Sequence, residues 1–334
     1  MGGFPFTPLL RLKRAEEKDA SKALFSGVSR VKGVSRSDGG FEGAEADLAR
    51  VFYADLWGTR EHKLETLEKG DIEFAELSLD PKLAFFVPFD GEGKELYESG
   101  VSIAELFPVS VTGIVSGNDN AAIAPTRDEL AQRIEIAKNA TDEAPIRELW
   151  GKFGDGQAAD KIQNDVLSPD GAMTPISYRP FDTHWTYYSG NSCGWVFRPR
   201  EKKTMGNLLQ PPSSPIGQNI GLVYPKGTNK FWDGAFISAS IIDAHFIDYP
   251  GRSIAYIAPL YLHSEIDGSW SPNINADALA RLTENLGFQP EPIEIFDYVY
   301  GVLYDPVYRE RYNEYLKRDF PRVPCPLLKA MSTT

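Results

Sequence analysis

Residues 178–188 read Tyr178-Arg179-Pro180-Phe181-Asp182-Thr183-His184-Trp185-Thr186-Tyr187-Tyr188. Aromatic and β-branched residues at this density suit a half-buried strand, so the chain is read as β-rich from here on. Downstream, Ile220–Tyr224, Ala235–Ile242 and Ser253–Leu262 have the same character as Thr183–Tyr188, and Pro211, Pro212 and Pro215 mark an exposed loop between Thr183–Tyr188 and Ile220–Tyr224. Arg179 opens a basic run that continues with Arg198, Arg200, Lys202, Lys203, Lys226 and Lys230. Between Ile176 and Trp232, seven Lys/Arg stand against two acids, a local excess of +5 on a chain whose net charge is −12. Positive charge gathered on an acidic chain points to a local anion-binding surface. Aromatics interleaved with it suit nucleic acid, by phosphate contact and stacking. The plain alternative is a set of half-buried strands with solvated charged rims, in which Arg179 pairs with Asp182 inside the domain.

Outward from this stretch, the C-terminal part reads as helical. Asn275 caps Ala276–Leu286, which carries Leu279, Leu282 and Leu286 on one face and stops at Gly287. Glu294–Tyr304 and Pro306–Arg318 form a pair broken at Asp305-Pro306, with Tyr308, Tyr312 and Tyr315 as a packing stripe. Upstream, Thr126 to Glu129 is a capping box opening a helix to about Ala140, with Leu130 and Ile134 inward. Thr59–Lys69 is a helix with Thr59 as cap and Leu64 and Leu67 inward, and Val51–Gly58 is a buried strand or a helix end. Leu83–Phe89 is a strand confined by Pro88 to an edge or an end. Gly113-Ile114-Val115-Ser116-Gly117-Asn118-Asp119 is a turn beside a strand; it lacks the Lys-Ser/Thr ending of a phosphate loop. Arg11–Arg36, with eight Lys/Arg and three acids among glycines and serines, reads as a mobile basic linker, or more sharply as a DNA-touching arm. The fold class is α+β, with mixed or antiparallel sheets and a C-terminal helical segment. The expected divisions are a linker over 1–50, a first lobe over 51–175, a second lobe with the helices over 176–324, and a tail over 325–334.

At 334 residues and 42% hydrophobic content the chain can bury a substantial core. Its two cysteines, Cys193 and Cys325, exclude a disulfide framework and suit a reducing, cytoplasmic setting. No apolar run approaches the roughly 20 residues of a membrane span, so no membrane partner is expected. No self-sufficient active site is found. Asp71, Glu73 and Glu76 lack the lysine of a metal-dependent nuclease, and the four histidines make no metal-binding spacing. Asp243 and His245, two apart on an expected strand, are the nearest thing to an acid–base pair and define an alternative reading as a hydrolase fragment. A third reading is a non-catalytic interaction subunit using the helical C-terminus.

Several stretches together resemble the C-terminal part of type ISP restriction–modification enzymes. They are Val51–Arg60, Gly113–Asp119, Tyr178–Tyr188, and the series Ile295–Tyr300, Tyr308–Tyr312 and Asp319–Pro324, spread in matching order over most of the chain. The family joins nuclease, helicase-like translocase, adenine-N6 methyltransferase and target-recognition parts. The resemblance implies a target-recognition module for duplex DNA, acting with a methyltransferase and translocase part and expected as a fragment or split subunit. S-adenosylmethionine, ATP and Mg would belong to those other parts, and no cofactor is expected in this chain. For DNA contact the sequence offers Arg179, His184, Arg198, Arg200, Lys202, Lys203, Lys226, Asn229 and Lys230, with Asn118 and Asp119 as further candidates in a turn that also shapes the domain.

Overall fold

The computed structural model describes residues 6–12, 50–70, 72–77, 93–209, 216–228, 232, 234–247, 254–264, 266–284, 286 and 288–325. The expected Leu83–Phe89 strand, the Pro211–Pro215 loop, Gly287, all of the basic segment after Leu12 and the tail after Cys325 lie outside them. The chain divides into two compact units, 1–92 and 93–334.

In the first unit, strand Arg50–Leu56 lies between Phe6–Leu12, parallel to it, and Ala75–Leu77, antiparallel. The expected linker therefore begins with a paired strand. Val51–Leu56 is strand, not helix end, and buries Tyr53, Ala54 and Leu56. Thr59 caps helix Arg60–Lys69, its hydroxyl accepting from the His62 amide at 3.3 Å. The helix is turned differently from the expectation, however. Leu64 and Leu67 stay 55% and 38% exposed while Lys63 is buried. Two leucines on ten residues make no stripe strong enough to set the rotation, and the lysine's alkyl stem serves as cover.

The second unit is α+β, with several small, mainly antiparallel sheets. One sheet runs Phe236–Ser238, Gly221–Pro225, Ala255–Pro259, Val111–Thr112, antiparallel throughout. The other runs Ile241–Ile242, Ala172–Arg179, Asp182–Tyr188, Ile123–Ala124, with only the first pair parallel. Two long expected strands are thus broken, at Ala239-Ser240 and at Leu260, so that their halves serve different sheets. The lobe boundary expected at 175/176 falls inside strand Ala172–Arg179, and one apolar core joins residues on both sides of it, from Ile114 to Ile257.

The end of the opening stretch is buried on both faces rather than alternating: Thr186, Tyr187 and Tyr188 are all inside. Helix Arg127–Asn139, capped by the Thr126 hydroxyl on the Glu129 amide, covers one side with Leu130, Ile134 and Ala137. Trp195 packs edge-on to Trp150 at 4.9 Å and to Tyr187 at 6.2 Å. The Trp150 indole nitrogen is buried without a partner among the described residues, but the polar atoms of Thr186, Trp195 and Tyr188 are each satisfied. Thr186 Oγ1 and Trp195 Nε1 both donate to the Ala122 carbonyl, at 2.9 and 3.0 Å, and Tyr188 donates to the Pro199 carbonyl at 3.2 Å.

The C-terminal helices are Ala276–Thr283, Pro292–Tyr304, Pro306–Arg311 and Asn313–Leu316. Asn275 caps the first through the Ala278 amide, and Asp305 caps the third through the Val307 amide. Leu282, Leu286, Phe296, Val299, Leu303 and Tyr312 are buried as the spacing requires, with Leu279 half-buried. The tyrosine stripe is packing: Tyr315 stacks on Tyr97 with centroids 4.5 Å apart. A last strand, Arg322–Val323, pairs antiparallel with Val101–Ser102 and returns the chain to the start of the unit.

Candidate nucleic-acid interface

Two sequence stretches far apart in the chain, Gly113–Asp119 and Tyr178–His184, meet at one corner. The register of the Ala172–Arg179/Asp182–Tyr188 hairpin shifts between Ser177 and Arg179, so Tyr178 is an extra, bulged residue. A bulge re-aims side chains that strict alternation would send to opposite faces. Here the Arg179 guanidinium lies 3.9 Å over the Tyr178 ring. Tyr178 donates to Asp119 Oδ2 at 2.8 Å, and Ser116 donates to Asp119 Oδ1. Asn118 donates to the carbonyls of Trp150 and Lys152. Burial, then the bond to Asp119, holds the Tyr178 phenol well above its usual value.

Arg179 is committed inside the domain, but to Asp243 rather than to Asp182. Its Nη1 donates to Asp243 Oδ1 at 2.7 Å, with the carboxylate side chain only 4% exposed. Asp182 instead faces His184, Oδ1 to Nε2 at 3.1 Å, and the His184 ring lies 4.8 Å from Tyr178. The Asp243 carboxyl also accepts from the His245 backbone amide at 2.9 Å. Burial raises its pKa above the ordinary carboxylate value; the His245 amide and Arg179 pull against that shift. Asp243 and His245, the alternative acid–base pair, meet only at the limit of ion-pair distance. The ring nitrogen stands 4.0 Å from Oδ1, because His245 follows in a turn instead of continuing the strand.

The same turn fixes the next arginines. Ile114 and Asp243 form a parallel bridge, and Val115 and Arg198 an antiparallel one. Arg200, with φ +68, sends Nε to the Gly113 carbonyl at 2.9 Å. Burial, then the charge of Arg198, lowers its pKa without threatening the cation. Gly113 is required for this closeness: a Cβ there would lie 2.4 Å from the Asp243 backbone. The Arg198 side chain is exposed and lies over Phe197 at 4.8 Å. Lys202 and Lys203 are exposed at the start of helix Lys202–Gly206, and the Lys202 stem covers Gly190. Lys226 is exposed 5.1 Å over Phe320, whose ring packs on Tyr256 at 5.2 Å. Among the described residues, Arg198, Lys202, Lys203 and Lys226 make no ion pair. Asn229 and Lys230 lie outside the described residues.

The sequence reading missed Tyr178, Ser116 and Asp243 as parts of this corner. Tyr178 stood inside the quoted stretch, but nothing local announces a bulge. No group of three or more His, Cys, Asp or Glu placed to hold a metal occurs among the described residues, and no described helix is long and apolar enough to cross a membrane.

Solved structures that share this fold include three DNA complexes. The DrdV–DNA complex aligns with 83% of the chain at 20% identity and a TM-score of 0.57. A nuclease-deletion mutant of the Type ISP restriction–modification enzyme LlaGI, in complex with a DNA substrate mimic, covers 84% at 19% identity and a TM-score of 0.54. The ATP-dependent Type ISP enzyme LlaBIII bound to DNA covers 83% at 18% identity and a TM-score of 0.57. The chain spans 29%, 22% and 19% of those proteins respectively. No curated protein matches. Residues 105–330, well over half of the sequence, match the family model described as the Type ISP C-terminal specificity domain, and the chain belongs to that family.

Proposed function

We propose that this chain recognises a specific sequence in duplex DNA for a restriction–modification system whose methyltransferase part modifies an adenine at N6. S-adenosylmethionine, ATP and Mg would be bound by that part and its translocase. The observation that carries the reading is the set of exposed cations, Arg198, Lys202, Lys203 and Lys226, all without an ion pair among the described residues, on an otherwise acidic chain. Arg198 is held by backbone bonds to the Gly113–Asp119 turn. Cations fixed on a rigid frame position phosphates, and a few polar groups beside them read base edges. Arg179, Arg200 and His184, each engaged with an internal acceptor, set the shape of the corner; Arg198 is the arginine best exposed for a base. Asn118 and Asp119 act as pins of the turn.

The test is selection from a random 30-base-pair duplex pool, followed by fluorescence anisotropy on matched and single-mismatch duplexes over a range of salt. Enrichment of one motif with a steep salt slope is the expected result. No retention at low salt overturns the reading.

A further inference from the structure

We propose that Phe181 is a wedge that enters a base step of the bound duplex and unstacks it, a role that rests on the DNA-binding reading above. Phe181 forms the tip of the hairpin whose last register partners are Arg179 and Asp182. Pro180 precedes it, and Phe181 has φ +62. Proline followed by a positive-φ residue is the pattern of a type II turn, in which glycine is the natural second occupant. A bulky residue there is strained. The hairpin Tyr261–His263/Trp270–Pro272 shows the alternative: its tip carries the equally exposed Ile266, but Gly268 takes the positive φ of +68.

The strain at Phe181 brings no packing in return. The side chain is 100% exposed, and the Phe236 ring reaches it only edge-on, centroids 6.1 Å apart. Behind it opens a cavity of about 340 Å³. Strain held at a position that contributes nothing to the core marks function. The tip is also stiff. One of its strands runs into the buried Thr186–Tyr188 segment, the other pairs with that segment through buried Thr174, and Arg179 at its base is fixed to Asp243.

The surroundings choose the occupant. A protein partner needs a broad apolar patch, whereas a DNA wedge needs one ring among polar groups. The cavity beside Phe181 is lined by Pro175, Ile237, Ala239 and Phe246 on its apolar side and by Asp182, Thr183 and Gln218 on its polar side, so groups able to meet sugars and base edges flank the ring.

The experiment places 2-aminopurine at successive positions of the selected duplex and follows its fluorescence on binding the full chain. Wild type should brighten it severalfold at one position. Phe181→Gly should abolish the rise and weaken matched binding, leave the salt slope intact, and melt at the same temperature or higher, because glycine relieves the turn. Phe181→Leu, still a wedge, should keep part of the signal, and Ile266→Gly should change nothing. Tight wild-type binding without brightening overturns the wedge while leaving DNA recognition standing; absent binding removes both. A lower melting temperature for Phe181→Gly would assign the ring to folding. Unchanged brightening with lost capture of a methyltransferase part would assign it to a protein contact. Either outcome overturns the wedge.

Discussion

The cations of the Tyr178–Arg179 corner and of the Arg198–Lys203 rim lie within one 26-residue stretch, 178–203, yet the structure uses them oppositely. At the corner the guanidinium is spent on a carboxylate that is almost wholly buried. On the rim, Arg198, Lys202 and Lys203 face solvent, Arg198 over Phe197 and Lys202 over Gly190. The difference is enforced by the Gly113–Asp119 turn. It bridges to Asp243 at one end and to Arg198 through the backbone, leaving that side chain outside. Cations that build a site and cations that use it therefore cannot be told apart by charge counting.

The largest effect expected from breaking this contrast is Arg179→Ala. It strands a buried carboxylate and should cost about 3 kcal/mol, the low end for such pairs because Arg179 keeps 19% of its side chain in solvent. The double variant Arg179→Met/Asp243→Leu should recover most of that loss in urea unfolding. If the double variant is as unstable as the single one, the corner is not an ion-pair frame.

Gly113→Ala drives a methyl group into the Asp243 backbone and should cost on the order of 2 kcal/mol. It should also lower affinity for DNA wherever the fold survives, by displacing Arg200 and Arg198 together. Tyr178→Phe removes a bond to the Asp119 carboxylate and should cost about 1.5 kcal/mol by thermal unfolding, with no change in the salt slope.

Asp243 sharpens the comparison through pH. Its folded pKa lies above the unfolded value near 3.8, so the native state holds an extra proton between the two. The stability it contributes is complete below about 3.8 and is lost as pH rises through its folded value. Subtracting the urea midpoints of Asp243→Asn from those of wild type across mildly acidic pH should give a difference that falls as pH rises. A rising difference would mean that Arg179 outweighs burial.

The smallest stability effect belongs to the rim. Lys202→Ala and Lys203→Ala should each leave stability within about 0.5 kcal/mol while lowering the salt slope of DNA binding by roughly 0.9. Unchanged slopes would take these lysines off the DNA path.

Much of the fold was legible where its causes are local. Thr126 and Asn275 cap the helices they precede, the helix pair breaks at Asp305-Pro306, and the leucine and tyrosine spacings at the C-terminus bury the expected faces. What escaped was non-local. Arg179 and Asp243 are 64 residues apart, and no pattern between them signals the pairing. Strands expected to be continuous through Ser240 and Leu260 change sheets because two sheets compete for them. The rotation of Arg60–Lys69 was decided by what lay beneath it, not by Leu64 and Leu67. Of the site, the right stretches were visible but not the division of labour within them, since a bulge at Tyr178 leaves no trace in composition.

The closing strand Arg322–Val323 has a mechanical consequence. Val323 lies opposite Val101, so the chain enters and leaves the unit at the same end of this short ladder. A pull on the two flanking segments would load its hydrogen bonds one after another, as a zipper, rather than all at once in shear. Two tyrosines brace the zipper from behind: Tyr308 donates to the Arg322 carbonyl at 2.6 Å and Tyr298 to the Pro324 carbonyl at 2.8 Å. Under tension this clasp, together with the Tyr97–Tyr315 stack just before it in the chain, would open ahead of the Trp150–Trp195 core.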